Sequence, residues 1–171
     1  MKKLFISLLL GVTLVGGLVG CGNKTVVEDK EVNTPIVEEK TISQSEKIEM
    51  VVSDFKEYIS YTDDEINVAM NGDVFQKTNV YYEEKTETIY IEQTIKFANF
   101  SDVAVASALA KDTEGNDKSV ENLNTLSDNL NLSLKNIGVE DIKIVSTLKV
   151  GEYKIIEIEN GIVTYRIDGL Q

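Results

Sequence analysis

The sequence predicts an α+β domain, and three stretches support this prediction. Residues 142–168 contain three β-type runs separated by turn pairs at 151–152 and 160–161, and the second pair is Asn-Gly, a strong signal for a tight hairpin. Residues 78–97 place β-branched and aromatic residues on both sides of a polar turn. Residues 119–137 carry apolar residues at helical spacing. The predicted fold is helices packed on antiparallel β-hairpins, with a C-terminal three-stranded antiparallel meander.

The first predicted helix begins after Ser43. Ser43 and Glu46 have the spacing of a capping box, in which the hydroxyl and the carboxylate each accept a hydrogen bond from a backbone amide at the start of a helix. From Ile48 to Ile59 the apolar residues recur at spacings that place them on one helical face. The helix is therefore expected to pack by this face and to end near Ser60.

Residues 62–72 allow two predictions. Thr62 and Glu65 repeat the spacing of a capping box, which favours a short second helix. Apolar residues at every second position from Ile66 to Met70 favour a strand instead. An Asn-Gly pair closes the segment in either case.

Two helices are predicted after the first hairpin. Ser101 is expected to cap a helix over residues 102–111, and the Gly-Asn pair at 115–116 is expected to separate it from the next one. The long helix over residues 119–137 is followed by Gly138, at a position that favours a left-handed residue. Because this helix is rich in asparagine, packing against the inner face of the meander must stabilise it.

The N-terminal stretch has the three parts of a secretory signal. Two lysines give a basic start, residues 4–15 form an apolar run, and small residues precede Cys21. The run is shorter than the roughly 20 residues that a membrane-spanning helix needs. The order Leu-Val-Gly-Cys at positions 18–21 resembles the lipobox of bacterial lipoproteins.

This resemblance implies that a diacylglyceryl group is joined to the Cys21 thiol, and that the chain is cut between Gly20 and Cys21. Cys21 is the only cysteine and so cannot form a disulfide within the chain. Lipidation would cap a thiol that is otherwise reactive. The alternative is a plain secretory signal followed by an incidental cysteine. The lipobox favours an anchor in the bilayer on the extracytoplasmic face of a cell membrane.

Three regions follow from these patterns: a signal at residues 1–20, a lipidated cysteine and acidic tether at 21–42, and one globular domain at 43–171. The tether is dense in charge and has no sustained apolar period, which is typical of a flexible segment. An alternative is that short edge strands form at Val26, Val27, Ile36 and Val37.

Composition narrows the class of partner. The chain has 17 basic and 29 acidic residues and a net charge of −12, so it is expected to repel nucleic acid and anionic lipid. All but one of the basic residues are lysines, and asparagine and isoleucine are plentiful, a bias that suggests a low-GC Gram-positive bacterium. The expected partners are the bilayer, through acylated Cys21, and a protein or envelope component.

The chain contains no histidine. The usual general base, the common nucleophile pairs and the usual zinc ligands are therefore missing, and no cofactor is predicted. An enzyme would have to use a Ser-Lys arrangement or paired carboxylates, and the carboxylates, such as Asp63 with Asp64 or Glu83 with Glu84, would have to face each other in a concave pocket. Solvated surface charge explains such pairs more simply.

Residues 112–117 place oxygen ligands around Gly115, like the start of a calcium loop. The pattern departs from an EF-hand at its sixth and twelfth positions, which are Asp117 and Leu123 instead of glycine and glutamate. A turn between helices is the simpler interpretation, and no metal site is predicted. The weak candidate ligands are Asp112, Glu114 and Asp117.

Adjacent tyrosines on a strand face opposite sides of a sheet. Tyr81 and Tyr82 are adjacent on a predicted strand, and Tyr90 lies on the next one. An exposed tyrosine in this group is a candidate contact for a partner, although packing at the sheet edge is the commoner role.

The leading hypothesis is a non-enzymatic, membrane-anchored lipoprotein that contacts a protein or envelope partner. The second is a lipoprotein that carries a small ligand or cation in an acidic pocket. The third is a hydrolase with carboxylate catalysis, which requires an acidic pair in one concave pocket.

Overall fold

The computed structural model describes residues 42–168. The predicted signal, the lipid attachment at Cys21 and the predicted tether as far as residue 41 lie outside the described residues, as do residues 169–171. Among the helices within residues 42–168, none is long and apolar enough to cross a bilayer.

Three helices and five strands make up the described part of the chain. The helices are α1 (Gln44–Ala69), α2 (Asp102–Leu109) and α3 (Thr113–Asn136). The strands are β1 (Val74–Glu83), β2 (Thr88–Phe97), β3 (Lys143–Val150), β4 (Tyr153–Glu159) and β5 (Ile162–Arg166). A short 3₁₀ turn, Glu84–Thr86, joins β1 to β2.

The strands form one sheet in the order β1-β2-β3-β4-β5. The α+β class is confirmed, as are the first hairpin, β1 with β2, and the meander formed by β3, β4 and β5. The sheet as a whole is mixed, because β2 and β3, whose pairing was not predicted, are parallel. The chain leaves β2, passes through α2 and α3, and re-enters the sheet from the same end, which makes the pair parallel.

All three helices pack on one side of the sheet, here called the inner face. On β1 and β2 this face carries Val74, Gln76, Thr78, Val80, Tyr82, Ile89, Ile91, Gln93, Ile95 and Phe97. The opposite side, here called the outer face, is not covered by any helix of the described residues. The domain is therefore a two-layer structure with its core between the helices and the inner face.

The core consists of two apolar clusters, and α3 contributes to both. Leu123 lies in the cluster beneath α2, whereas Leu130 lies in the cluster beneath α1. Ser127 lies between them on α3, and its hydroxyl is 2.7 Å from that of Ser146 on β3. Because the two hydroxyls hydrogen-bond to each other, neither is left without a partner at the buried point where the clusters meet.

The capping box at the start of α1 is confirmed. The Ser43 amide donates to Glu46 Oε2 at 2.8 Å, and the Glu46 amide donates to the Ser43 hydroxyl at 3.2 Å. Hydrogen bonds from Ser43 lower the pKa of Glu46. The predicted end near Ser60 was wrong, since α1 runs on to Ala69 and includes most of the ambiguous segment as helix.

The second and third helices differ from prediction at their ends. Ser101 occupies the N-cap position of α2, but its side chain makes no capping hydrogen bond. Helix α3 begins earlier than predicted because Asp112 caps it, accepting from the Gly115 amide at 3.0 Å. Gly115 therefore lies inside α3 and does not separate two helices. Gly138 has the expected left-handed conformation, with φ of 75°.

The turn between β3 and β4 depends on Gly151. Its φ is 54°, a left-handed conformation that costs a residue with a side chain about 1 to 2 kcal/mol. A Cβ at this position would also overlap the carboxyl group of Asp102 at the start of α2. The Gly151→Ala variant is expected to lose about 2 kcal/mol of unfolding free energy, measured by urea denaturation.

Gly161 provides the matched control, since it also has a positive φ, of 82°, but nothing lies within 4 Å of its Cβ position. Gly161→Ala is expected to cost about 1 kcal/mol. Adding Asp102→Ala to Gly151→Ala is expected to restore part of the stability. Equal losses for the two glycine variants would contradict the role given to Asp102.

Candidate functional site

A cleft of about 350 Å³ lies between the C-terminal half of α1 and the middle of α3, above the inner face of β1 and β2. Its floor is formed by Gln76, Thr78, Gln93 and Ile95. Its walls include Tyr58, Asp63 and Ile66 from α1 and Asn122, Leu126 and Asn129 from α3. This volume falls at the lower end of the range for small-molecule sites.

The floor of the cleft is polar where the rest of the inner face is largely apolar. Thr78 and Gln93 are direct partners across β1 and β2, and the next inner-face pair is Val80 with Ile91. Val80 and Ile91 are almost fully buried under helices, whereas Gln93 is only half-buried. Of the two polar partners, Thr78 is buried against Asp63 of α1, and Gln93 is left half-buried where the cleft opens.

Asp63 is the buried carboxylate of the cleft, with 6% of its surface exposed. Its Oδ1 accepts from Gln76 Nε2 at 2.8 Å and from the Thr78 hydroxyl at 3.1 Å, and its Oδ2 accepts from the Thr78 amide. All three donors are neutral. No lysine or arginine of residues 42–168 forms a salt bridge with Asp63.

Asn67 lies one turn after Asp63 on α1 and binds the same strand. Its amide nitrogen donates to the Gln76 carbonyl at 2.9 Å, and its oxygen accepts from the Gln76 amide at 2.7 Å. Strand β1 is at the edge of the sheet. Asn67 and Asp63 thus occupy backbone groups that an edge strand would otherwise leave open to another chain.

A second carboxylate, Glu65, also lines the cleft and is exposed. A hydrogen bond to Glu65 raises the pKa of Tyr61. Among the described residues that line the cleft there is no lysine or arginine. Its two ionisable carboxylates therefore give it a negative potential.

The predicted carboxylate pairs are not brought together as pairs. Asp63 is buried in the cleft, whereas its neighbour Asp64 is exposed and does not line it. Glu83 and Glu84 lie at the turn between β1 and β2, away from the cleft. The two carboxylates that do line one pocket are Asp63 and Glu65, a pair that the sequence did not predict.

The predicted tyrosine group divides between the two faces of the sheet. Tyr81 and Tyr90 are register partners on the outer face, and their rings stack with centroids 5.0 Å apart. Tyr82 faces the helices and packs against the cluster beneath α1. Burial, and then the Glu92 carboxylate, raise the pKa of Tyr81. Tyr81 is thus exposed on the outer face beside the half-buried Tyr90, while Tyr82 contributes to packing.

The weak calcium candidates each have another partner. Asp112 caps α3, Glu114 pairs with Lys118 at 2.7 Å, and Asp117 pairs with Arg166 at 2.8 Å. Within residues 42–168, no group of three or more histidine, cysteine, aspartate or glutamate side chains could hold a metal ion.

Sequence reasoning missed the residues that form the cleft, among them Thr78 and Gln93. A signal was present, because both fall in the phase of the strand alternation that is otherwise apolar, as at Val80, Ile91 and Ile95.

Comparison with known protein families, with curated proteins and with solved structures finds no match for this chain.

Proposed function

We propose that this chain is an extracytoplasmic lipoprotein whose domain binds a small molecule in the cleft between α1 and α3. The observation that carries this proposal is the polar floor of the cleft, with Gln93 half-buried on the inner face of a core strand. A polar side chain in a core position is usually retained for a function or a specific bond. Of the sequence hypotheses, the ligand carrier therefore has the best geometric support.

Binding rather than catalysis is proposed because the sequence has no histidine and its only cysteine is the predicted lipid attachment site. The buried carboxylate of the cleft already accepts three hydrogen bonds from strand β1 and its side chains. These bonds fix Asp63 as an acceptor in the wall of the cleft, which suits it to orient a ligand.

The proposed site is tested by closing the cleft. Asn129 is exposed and lines the cleft on α3, so Asn129→Trp places a large ring across it. The adjacent Asp128 is also exposed but does not line the cleft, and Asp128→Trp is the matched control. Native mass spectrometry of the full chain isolated from its own cells is expected to show a bound small molecule in the control and not in Asn129→Trp. An identical ligand load in both would contradict the proposed site.

The proposed anchor gives a separate prediction. Cys21→Ser is expected to move the protein from the membrane fraction to the medium, because two acyl chains bury enough CH₂ groups, at about 0.8 kcal/mol each, to hold a chain at a bilayer. The measurement is immunoblotting of cell fractions, with Lys24→Ser in the predicted tether as the control. Retention of Cys21→Ser in the membrane fraction would count against lipidation at this residue.

A protein or envelope partner is the second candidate, and the outer face favours it. Tyr81 and Phe75 are exposed there, with 38% and 53% of their surfaces accessible. Aromatic residues of this kind are enriched in protein interfaces. Crosslinking in intact cells tests this candidate: a protein captured by the natural chain and lost in Tyr81→Lys would support it, whereas unchanged capture would contradict it.

A further inference from the structure

We infer that the ligand of the cleft is a small organic cation, an amine that carries an apolar group. This inference rests on the proposed binding function and adds the chemical class of the ligand. It follows from three features of the cleft within residues 42–168: a buried carboxylate without a salt bridge, an amide without a hydrogen bond, and apolar side chains in the walls.

The first feature is the charge of Asp63. A carboxylate has about four positions at which it can accept a hydrogen bond. Asp63 uses two at Oδ1 and one at Oδ2, so one position at Oδ2 remains open. A buried charge is stabilised by an opposite charge nearby, and no lysine or arginine of residues 42–168 forms a salt bridge with Asp63. An ammonium group in the cleft would supply it.

The second feature is the side-chain amide of Gln93, which lines the floor. It forms no hydrogen bond with any residue from 42 to 168, although it lies on the inner face of the sheet. Its carbonyl oxygen is a neutral acceptor on the strand next to Thr78, whose amide and hydroxyl bind Asp63. An ammonium group has three donors and can be shared between these two acceptors.

The third feature is the wall of the cleft, which distinguishes an organic cation from a metal ion. Ile66 of α1, Met70 at the C-cap of that helix and Leu126 of α3 line the cleft with apolar surface. Calcium and magnesium need about six or more oxygen ligands, and hydrocarbon walls contribute none. Among the described residues, no group of acidic side chains is suited to a metal. Apolar walls beside an anionic group match an amine with a hydrocarbon body.

The experiment is isothermal titration of the full chain in detergent with a matched series of probes. Phenethylamine, 2-phenylethanol and phenylacetate share the aromatic body and differ in charge, and calcium chloride tests the metal alone. We expect phenethylamine to bind saturably and at least tenfold more tightly than 2-phenylethanol. We expect no binding of phenylacetate. Asn129→Trp is expected to abolish this binding and Asp128→Trp to retain it.

Gln93→Leu tests the site without removing Asp63, and it is expected to weaken phenethylamine binding about tenfold, as loss of one hydrogen bond to a charged group does. If 2-phenylethanol or phenylacetate binds as tightly as the amine, and Asn129→Trp abolishes this, the cation inference is wrong while the cleft remains a ligand site. Calcium binding without amine binding also overturns the inference. If no probe binds, the cation inference is contradicted, and the native mass spectrometry of Asn129→Trp and Asp128→Trp decides the proposed small-molecule function separately.

Discussion

Replacing Asp63 with alanine is expected to lower the free energy of unfolding by about 4 kcal/mol. The change removes the acceptor for the Thr78 amide, the Thr78 hydroxyl and the Gln76 side chain. A buried donor left without an acceptor costs about 1 to 3 kcal/mol, and Thr78 is 9% exposed. The loss of these bonds also frees the edge of β1 that α1 covers.

Asp64→Ala is the matched control, since Asp64 is the next residue on α1 and is exposed. It is expected to change the unfolding free energy by less than about 0.5 kcal/mol. Urea denaturation followed by circular dichroism measures both variants. A small and equal effect for the two substitutions would show that the hydrogen bonds of Asp63 do not hold β1 to α1.

Leu130→Ala is expected to lower the free energy of unfolding by about 3 kcal/mol. Leu130 is fully buried on α3, in the cluster that joins α1 to the sheet. Truncation to alanine removes apolar contact and leaves a cavity, which together cost about 2 to 5 kcal/mol in a packed core. Asparagine has a low helix propensity, and α3 is rich in it. Packing of its buried leucines is therefore expected to stabilise α3 more than its intrinsic helix propensity does.

The control for Leu130 is Leu132 on the same helix, which is 60% exposed. Leu132→Ala makes the same change of residue in the same helix, so its effect on helix propensity is the same. It is expected to change the free energy of unfolding by less than about 0.5 kcal/mol. Thermal unfolding by calorimetry compares the two variants. A loss for Leu130→Ala no greater than that for Leu132→Ala would mean that α3 is not held by this cluster.

Local signals predicted those parts of the fold that local chemistry decides. Asn160 and Gly161 have φ of 48° and 82°, as a tight type I′ hairpin requires, and they join β4 to β5 as predicted. Ser43 and Glu46 form the predicted capping box. In these cases the bonds or angles that define the structure lie within a few residues, so the sequence pattern is sufficient.

Other features depended on contacts between distant segments. The continuation of α1 past Ser60 is accompanied by hydrogen bonds that Asp63 accepts from β1 and that Asn67 exchanges with it. These contacts stabilise the second half of the helix and decide between the helix and the strand that the spacing of residues 62–72 left open. The parallel pairing of β2 with β3 follows from the path of the chain through α2 and α3. Periodicity within a strand does not specify its neighbour.

The candidate site shows the same division. The sequence by itself determined that the chain lacks histidine, that its balance of charge is acidic, and that its strands and long helix have apolar faces. Only the tertiary structure decided that Thr78 is buried against Asp63 of α1 while Gln93 is left half-buried in the cleft, and that Asp63 forms no salt bridge within residues 42–168. A cleft forms at the place where two packed elements diverge. That place depends on how side chains from distant parts of the sequence fit together.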